Sequence, residues 1–477
     1  MQPLSTLEER LERQEIIRGF RDTTPEALEA DGETLTLEAF HRVAQTVPAY
    51  AQALRDAQVD PKTVDSIAAF VDRAPLLDKH NTFGAHPIEA LCVDGNLEGL
   101  RSLLTSSGHS GVFSFGVNTR ENVLRSARSI DAVLQYLFNV DERRTLFINC
   151  LPMGVKVHTN ATVLAETSVR DDMVYAVVKK FASGFDQMVM VGEGSFVKKI
   201  VEDGAERHGI DWHKLTMHVI TGEEGIAENY RTYLAELLGI DDIDDPADKF
   251  LGSSMGVAEL DLNLFHETRE AVRIRRLAHK NPALRQSLFG TAVRFCPMFF
   301  VRYPHRCYVE TIDVGRGHEE LVISMLSPEM KLPLLRYRAG DFGRLFSYSQ
   351  VVGTLAEHGV DVAPDLKLPF IAVYGRGHAL AHNGGQIFPE AVKEALYVHH
   401  DIAATLTGNM RLWDDNGVAR LDVQLRERHT SAPAAEDRLM AAITEYSDTL
   451  PDRIAFHPFA TFAHNMNVDW ERKFAYL

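Results

Sequence analysis

Apolar positions recur at three- and four-residue intervals through residues 36–54 (TLEAFHRVAQTVPAYAQAL). This spacing predicts an amphipathic helix capped by Thr36, with Phe40, Val43 and Val47 on its inner face. The first hundred residues read mainly as helices. A Pro- and Gly-containing approach then leads to a polar, glycine-bearing loop at 101–116 between apolar segments. Beyond it the period alternates, with a helix at 121–140, strands at 145–151 and 186–192, a helix at 195–209, a strand at 215–222 and a helix at 224–239. Such alternation through residue 260 predicts an α/β layer structure, whose ligands sit at the C-terminal ends of the strands. From 292 to 350 the pattern turns to strands (MFFVRY, CYVETIDV, LVISML). Near Gly375 a smaller terminal region begins, with a turn and helix at 386–398 and Pro389 suited to the first helical turn.

A chain of 477 residues exceeds one ordinary domain, and 45% apolar with 25% charged residues is a globular composition. Lys and Arg total 50 against 67 Asp and Glu, a net charge of -17 that disfavours nucleic acid and anionic membrane surfaces as partners. Cys92, Cys150, Cys296 and Cys307 are too scattered for a disulfide framework, which points to a reducing, cytoplasmic compartment. The charged N-terminus lacks a signal-like apolar core. No run approaches the roughly 20 apolar residues of a membrane span. Composition leaves the oligomeric state open, a homodimer included.

The sharpest local chemistry is Thr105-Ser106-Ser107-Gly108-His109-Ser110-Gly111. Hydroxyls can donate to phosphate oxygens, while glycines let backbone N–H groups converge on them. The run lacks the Gly-Lys-Ser/Thr ending of a nucleotide P-loop, and by itself also describes an ordinary surface turn. Four further motifs follow in order: Thr221-Gly222-Glu223, GSSMGVAE at 252–259, RYRAGD at 336–341, and Gly375-Arg376 followed by GGQIFPEAVKEAL at 384–396. This series, over about residues 90–477, resembles the acyl-adenylate-forming superfamily, in particular its phenylacetate–CoA ligase-like branch.

The resemblance implies an α/β fold with a large multi-subdomain adenylation region (91–376), a small mobile α+β C-terminal domain (377–477) and a mainly helical segment (1–90) packed on the large domain. It also implies ATP and Mg2+ as cofactors and a small-molecule carboxylic acid as substrate. Coenzyme A is the expected acceptor, with an amine or a carrier-protein thiol as the alternatives. On this basis Glu259 holds magnesium, Asp341 accepts hydrogen bonds from the ribose hydroxyls, and Arg376 at the domain junction approaches phosphate or ribose. Gly222, Glu223, Ser254, Met255 and Gly256 lie on the adenine side, while Lys473 bridges the α-phosphate and the substrate carboxylate, with Arg472 the nearby competitor.

Several positions depart from the family pattern. No lysine follows the hydroxyl-rich loop, where Val112 and Phe113 stand instead. His109 occupies a threonine position and is a phosphate donor by its ring N–H. Met255 takes an aromatic position, and Ala258 replaces a Ser or Thr. These changes motivate a second reading, a nucleotide-binding module with little turnover.

Other polar groups are less specific. Lys156 and His158 follow a strand and suit either an acyl or acceptor pocket or a structural loop. Cys150 reads as a buried apolar residue. Cys296, His305, Cys307 and the remote His266 raise a zinc question without close Cys-x-x-Cys spacing. His399 and His400 read as a solvated helix end, and the acidic run 241–250 as a solvated turn before a short strand.

Overall fold

The computed structural model describes residues 4–106, 111–152, 155–245, 247–290, 293–315, 319–462 and 476. Four helices open the chain: α1 (Leu7–Asp22), α2 (Pro25–Thr46), α3 (Pro48–Asp56) and α4 (Ile67–Arg73). The helix expected over 36–54 is corrected at both ends. Thr24 caps α2 and Pro25 fills its first turn, whereas Thr36 is buried mid-helix with its hydroxyl donating to the Gly32 carbonyl at 2.7 Å. Pro48 cannot donate an N–H and forces Val47 into an extended conformation, so the chain restarts as α3. The inner face was legible, since Phe40, Val43 and Val47 are all buried.

Next come the strands β1 (Leu100–Thr105) and β2 (Phe115–Thr119), an antiparallel pair with Thr105 opposite Phe115. The Ser/Gly segment thus opens at Thr105, the last residue of β1. Its Ser107, Gly108, His109 and Ser110 lie outside the described residues. The α/β alternation follows as α5 (Arg120–Phe138), β3 (Thr145–Cys150), β4 (Val163–Glu166), α6 (Asp171–Phe181), β5 (Gln187–Glu193), α7 (Gly194–Glu206), β6 (Met217–Gly222), α8 (Glu228–Leu238) and β7 (Leu251–Val257). β3 and β5 are buried along their whole length, as expected of parallel strands covered on both faces. The helix expected from residue 224 starts only at Glu228, after a turn.

A second half adds β8 (Asp261–His266), α9 (Arg269–Lys280), α10 (Pro282–Phe289), β9 (Met298–Val301), β10 (Cys307–Asp313), β11 (Glu319–Met325), β12 (Tyr337–Phe346), α11 (Tyr348–Glu357) and β13 (Phe370–Gly375). Eleven strands form one sheet in the order β10-β11-β12-β13-β9-β8-β7-β6-β5-β3-β4. β7 pairs parallel with β6 and antiparallel with β8, so the character of the sheet changes there. Such a change leaves a crevice beyond the strand ends.

The C-terminal region contains β14 (Leu380–His382), β15 (Gly385–Ile387), α12 (Pro389–Leu396), α13 (His400–Ala403), β16 (Leu406–Asp415), β17 (Val418–Leu425), α14 (Ala435–Tyr446) and β18 (Arg453–His457). It packs on α7 and α8, and one apolar core runs through both regions. Tyr397 meets Tyr230 and Tyr233 with ring centroids 5.1 Å and 5.8 Å apart. Buried charges stitch the same seam. Glu394 accepts from the backbone N–H groups of Glu228 (2.9 Å) and Asn229 (3.0 Å), capping α8, which has no side-chain cap of its own. Arg426 reaches Glu202, Asp203 and Glu206 on α7 at 3.2, 3.0 and 2.8 Å. Among the described residues, no helix is long and apolar enough to cross a membrane.

Candidate functional site

A cavity of about 550 Å³ opens beyond the C-terminal ends of β6 and β7. Thr105 and Ser106 reach it from the hairpin, Gly222 and Glu223 from the end of β6, and Ser254, Met255 and Gly256 from β7. Glu259 enters from the β7–β8 turn, Asp341 from β12, and Arg376 from the link after β13. Gly111 is described but does not line the wall. Lys473 and Arg472, like His109, Ser107, Gly108 and Ser110, lie outside the described residues.

Close backbone approach fixes the wall. A Cβ on Gly256 would sit 2.2 Å from the Leu262 carbonyl oxygen, and one on Gly116 would sit 2.1 Å from that of Ala258. Only a hydrogen fits at either place, so the hairpin lies backbone to backbone against the segment that carries Glu259. Glu223, at φ +70°, holds a conformation costly for a residue with a Cβ, in keeping with strain stored beside a ligand site.

Glu259 is buried, and its Oε1 accepts from the Tyr337 hydroxyl at 2.8 Å. Lys79 Nζ lies 3.7 Å from the same oxygen. Among the described residues Oε2 takes no hydrogen bond, so one hard oxygen ligand is left to the cavity. That donor fits magnesium, which prefers one or two carboxylates and completes its shell with phosphate and water oxygens. Lys79 was missed by the sequence reading. Its turn is built by Asp78, whose Oδ1 accepts from the N–H groups of His80 (2.8 Å) and Asn81 (2.9 Å). Leu77 is tied to β12 in both directions, Leu77 N to Arg336 O (2.9 Å) and Arg338 N to Leu77 O (2.8 Å). The Asp-x-x-Asn turn was legible, but nothing local announces that it delivers a cation to Glu259.

RYRAGD divides into scaffold and site. Arg336 pairs with buried Glu310 (2.5 Å), Arg338 pairs with Glu320 and Tyr337 orients Glu259, while Ala339 and Asp341 face the cavity. Asp341 lies 4.0 Å from Arg376 Nε. Arg376 is flanked by Gly375 (φ +85°) and Gly377 (φ +64°), left-handed positions that suit a hinge.

A second group at the junction was also missed. Lys393 on α12 pairs with Glu224 at 2.8 Å, with its ammonium 4.0 Å from the centre of the Tyr476 ring. Burial alone would lower the Lys393 pKa, but Glu224 and then Glu390 outweigh it and hold the ammonium charged. Burial pushes the Glu390 carboxyl up. Lys393 thus fastens the C-terminal region to the loop after β6.

Lys156 and His158 line a second cavity of about 250 Å³, which shares Leu104, Leu151, Val155, Ser254 and Glu259 with the first. Among the described residues, no three of His, Cys, Asp and Glu are grouped to hold a metal. Cys296 and Cys307 belong to different core clusters, and His266 shares a hydrogen bond with the Tyr303 hydroxyl at 3.2 Å. Cys150 is fully buried, which pushes its thiol up to about 12. His400 pairs with Glu236, and Asp401 with Arg438. The described residues of the acidic run 241–250 form bends and turns ahead of β7, with Asp244 paired to Arg276 at 3.0 Å.

Solved structures with the same arrangement of elements include 2-hydroxyisobutyryl-CoA ligase in its postadenylation state with R3-HIB-AMP. At 12% identity it matches 96% of this chain and 91% of its own, with a TM-score of 0.68. The chain shares the fold of that ligase. The same ligase with 2-HIB-AMP and CoA in its thioesterification state gives a TM-score of 0.54 at 13% identity, over 92% of this chain and 87% of the other. No protein-family model matches the sequence, and neither does any curated protein.

Proposed function

We propose that the chain activates a carboxylic acid as its acyl-adenylate and passes the acyl group to coenzyme A. The convergence of Thr105, Ser106, Gly222, Glu259, Asp341 and Arg376 on one nucleotide-sized cavity, beside a second cavity for the acid, carries this reading. The fold shared with a ligase solved bound to acyl-AMP supports it. A carboxylate oxygen attacks the α-phosphorus of ATP in line, the bond from that phosphorus to the bridging oxygen breaks, and pyrophosphate leaves. Asp341 holds the ribose hydroxyls and Arg376 the phosphate side. Thr105 and Ser106, with Ser107, Gly108, His109 and Ser110 beyond them, donate to phosphate oxygens. Gly222, Glu223, Ser254, Met255 and Gly256 form the adenine side.

Lys79 supplies a cation within the cavity on the side where the hydroxyl-rich loop carries none of its own, and Lys473 clamps carboxylate and α-phosphate together. Preorganised charge of this kind lowers the barrier because it needs no rearrangement as the reaction proceeds. Glu259 holds magnesium, which when bound neutralises phosphate charge. The present domain arrangement suits this first half-reaction. Movement about Gly375–Gly377 then admits the acceptor.

Acid-dependent exchange of labelled pyrophosphate into ATP tests the first step, and a panel of CoA, amines and a carrier protein tests the second. Exchange abolished by Asp341→Ala is the expected result. An absence of exchange with every acid overturns the proposal, and amide or acyl-carrier product in place of acyl-CoA reassigns the acceptor.

A further inference from the structure

The second cavity runs between α5 and the sheet. The part it does not share with the nucleotide cavity includes Ile130, Val133, Leu134 and Leu137 on α5, facing Phe147 on β3 and Phe250 just before β7. These residues belong to, or pack on, the small apolar cluster between α5 and the sheet, so the cavity is a gap in that core. Genuinely apolar gaps stay dry and accept apolar guests.

Every acidic group on its wall is already matched. Glu259 has Tyr337 and Lys79, and Glu267 has Arg231 at 2.9 Å. Asp261 has Arg306 at 2.9 Å and Arg125 at 3.5 Å. His266 is fully enclosed, and burial takes its pKa to about 3. Burial also lowers the pKa of His158, so neither ring carries charge at neutral pH. Lys156 is exposed and stands at the rim. Ser126 and Asn263 are uncharged and can offer hydrogen bonds only. Beyond the exposed Lys156 ammonium at the rim, a ligand passing Glu259 and entering between α5 and the sheet therefore meets no unmatched charge among the described residues. A second carboxylate or an ammonium placed among Ile130, Val133, Leu134, Leu137, Phe147 and Phe250 would lose its hydration without gaining a counter-charge.

We infer that this cavity takes the side chain of an uncharged, apolar monocarboxylic acid, and that amino acids and dicarboxylic acids are excluded from it. Its volume holds roughly eight to ten non-hydrogen atoms at the density of liquid water. Alkyl and aryl acids of that size share this chemistry. The inference rests on the adenylation proposed above and names its substrate class.

The test measures pyrophosphate exchange with octanoate, hexanoate, phenylacetate, acetate, adipate, leucine and glutamate, alongside calorimetric titration of the ATP-free protein with octanoate and with adipate. Octanoate, hexanoate or phenylacetate is expected to exceed adipate, leucine and glutamate by at least about 100-fold in kcat/KM, the scale of loss for a buried unmatched charge. Val133→Phe, which fills the gap, moves the optimum to shorter acids, and Val133→Ala moves it to longer ones. A best substrate carrying a second charge, or an optimum that both variants leave unmoved, overturns the inference. If no acid supports exchange, the adenylation reading falls while the titration still decides the cavity. Octanoate binding weakened by Val133→Phe keeps the cavity assignment, and absence of octanoate binding, or equal binding of adipate, removes it.

Discussion

The Tyr337 hydroxyl donates to Glu259 Oε1 across 2.8 Å, with Tyr337 fully buried and the Glu259 side chain 2% exposed. The bond aims a carboxylate from the β7–β8 turn with a phenol from β12, so strands from both halves of the sheet set one oxygen. Tyr337→Phe is expected to cost about 1–3 kcal/mol of stability, because it leaves a buried acceptor unmet. It also lowers kcat by about tenfold with a smaller change in the KM for ATP. Glu259→Gln, which removes the charge, is expected to lower kcat further. Steady-state kinetics across magnesium concentrations, with denaturant titration, checks both.

Lys79 is held by an Asp-capped turn and a two-way backbone bridge, so its position does not depend on its ion pair. Lys79→Ala is expected to reduce pyrophosphate exchange by about 10²–10³, the scale of losing one preorganised donor. With the side chain 24% exposed, stability should change by less than about 0.5 kcal/mol. Lys79→Arg restores part of the rate. Equal exchange in all three proteins would remove Lys79 from the reaction.

Gly116 and Gly256 are steric requirements of the same wall. Gly116→Ala or Gly256→Ala forces backbone apart and is expected to destabilise by about 1–3 kcal/mol, with loss of exchange beyond the loss of fold. Gly353 on α11 is the control. A Cβ there meets nothing within 4 Å, and Gly353→Ala is expected to stabilise by up to about 1 kcal/mol. Melting and exchange measured on the three variants separate strain from general intolerance.

Two buried histidines set an acid limit. His218 Nδ1 accepts from the Phe250 N–H at 2.9 Å, and Nε2 shares a hydrogen bond with Gln187 Oε1 at 3.1 Å, which requires the neutral ring. Burial lowers the pKa of His218 and His266 to about 3, against 6.5 in the unfolded chain. Below about pH 6.5 the unfolded chain binds protons that the folded chain refuses. Their contribution is therefore complete above pH 6.5 and is lost as pH falls from there towards 3. Between pH 7.5 and 5 the expected loss is about 2 kcal/mol per histidine. Glu193, Glu390 and Glu394, whose carboxyls burial raises, titrate in the opposite sense. The check is thus the difference between the chain and its His266→Phe variant: urea unfolding should show a shallower decline in the variant.

The α/β alternation was legible because β3, β5 and β6 are continuous apolar runs separated by amphipathic helices. Thr105, Gly222, Glu259, Asp341 and Arg376, which line one cavity, were picked out through the ordered series of short motifs and not through apolar periodicity. Thr36 misled because a threonine ahead of an apolar stripe looks like a cap even when, as here, the helix began at Pro25. Lys79 and Lys393 were illegible for another reason. Each acts through a contact more than 160 positions away in the chain, Glu259 for one and Glu224 for the other, and no local spacing encodes that.

The apolar core that runs from α7 and α8 into the C-terminal region makes the two regions melt together. Scanning calorimetry should record one cooperative transition, and Arg426→Met should lower it as a whole without splitting off a second peak. A chain cut at Gly377 would leave Tyr230, Tyr233 and the start of α8 facing water, and is expected to precipitate on expression. Any swing of the C-terminal region would therefore have to give up the contacts of Tyr397 with Tyr230 and Tyr233, and a polar side chain at position 397 would ease that separation at the expense of the closed arrangement.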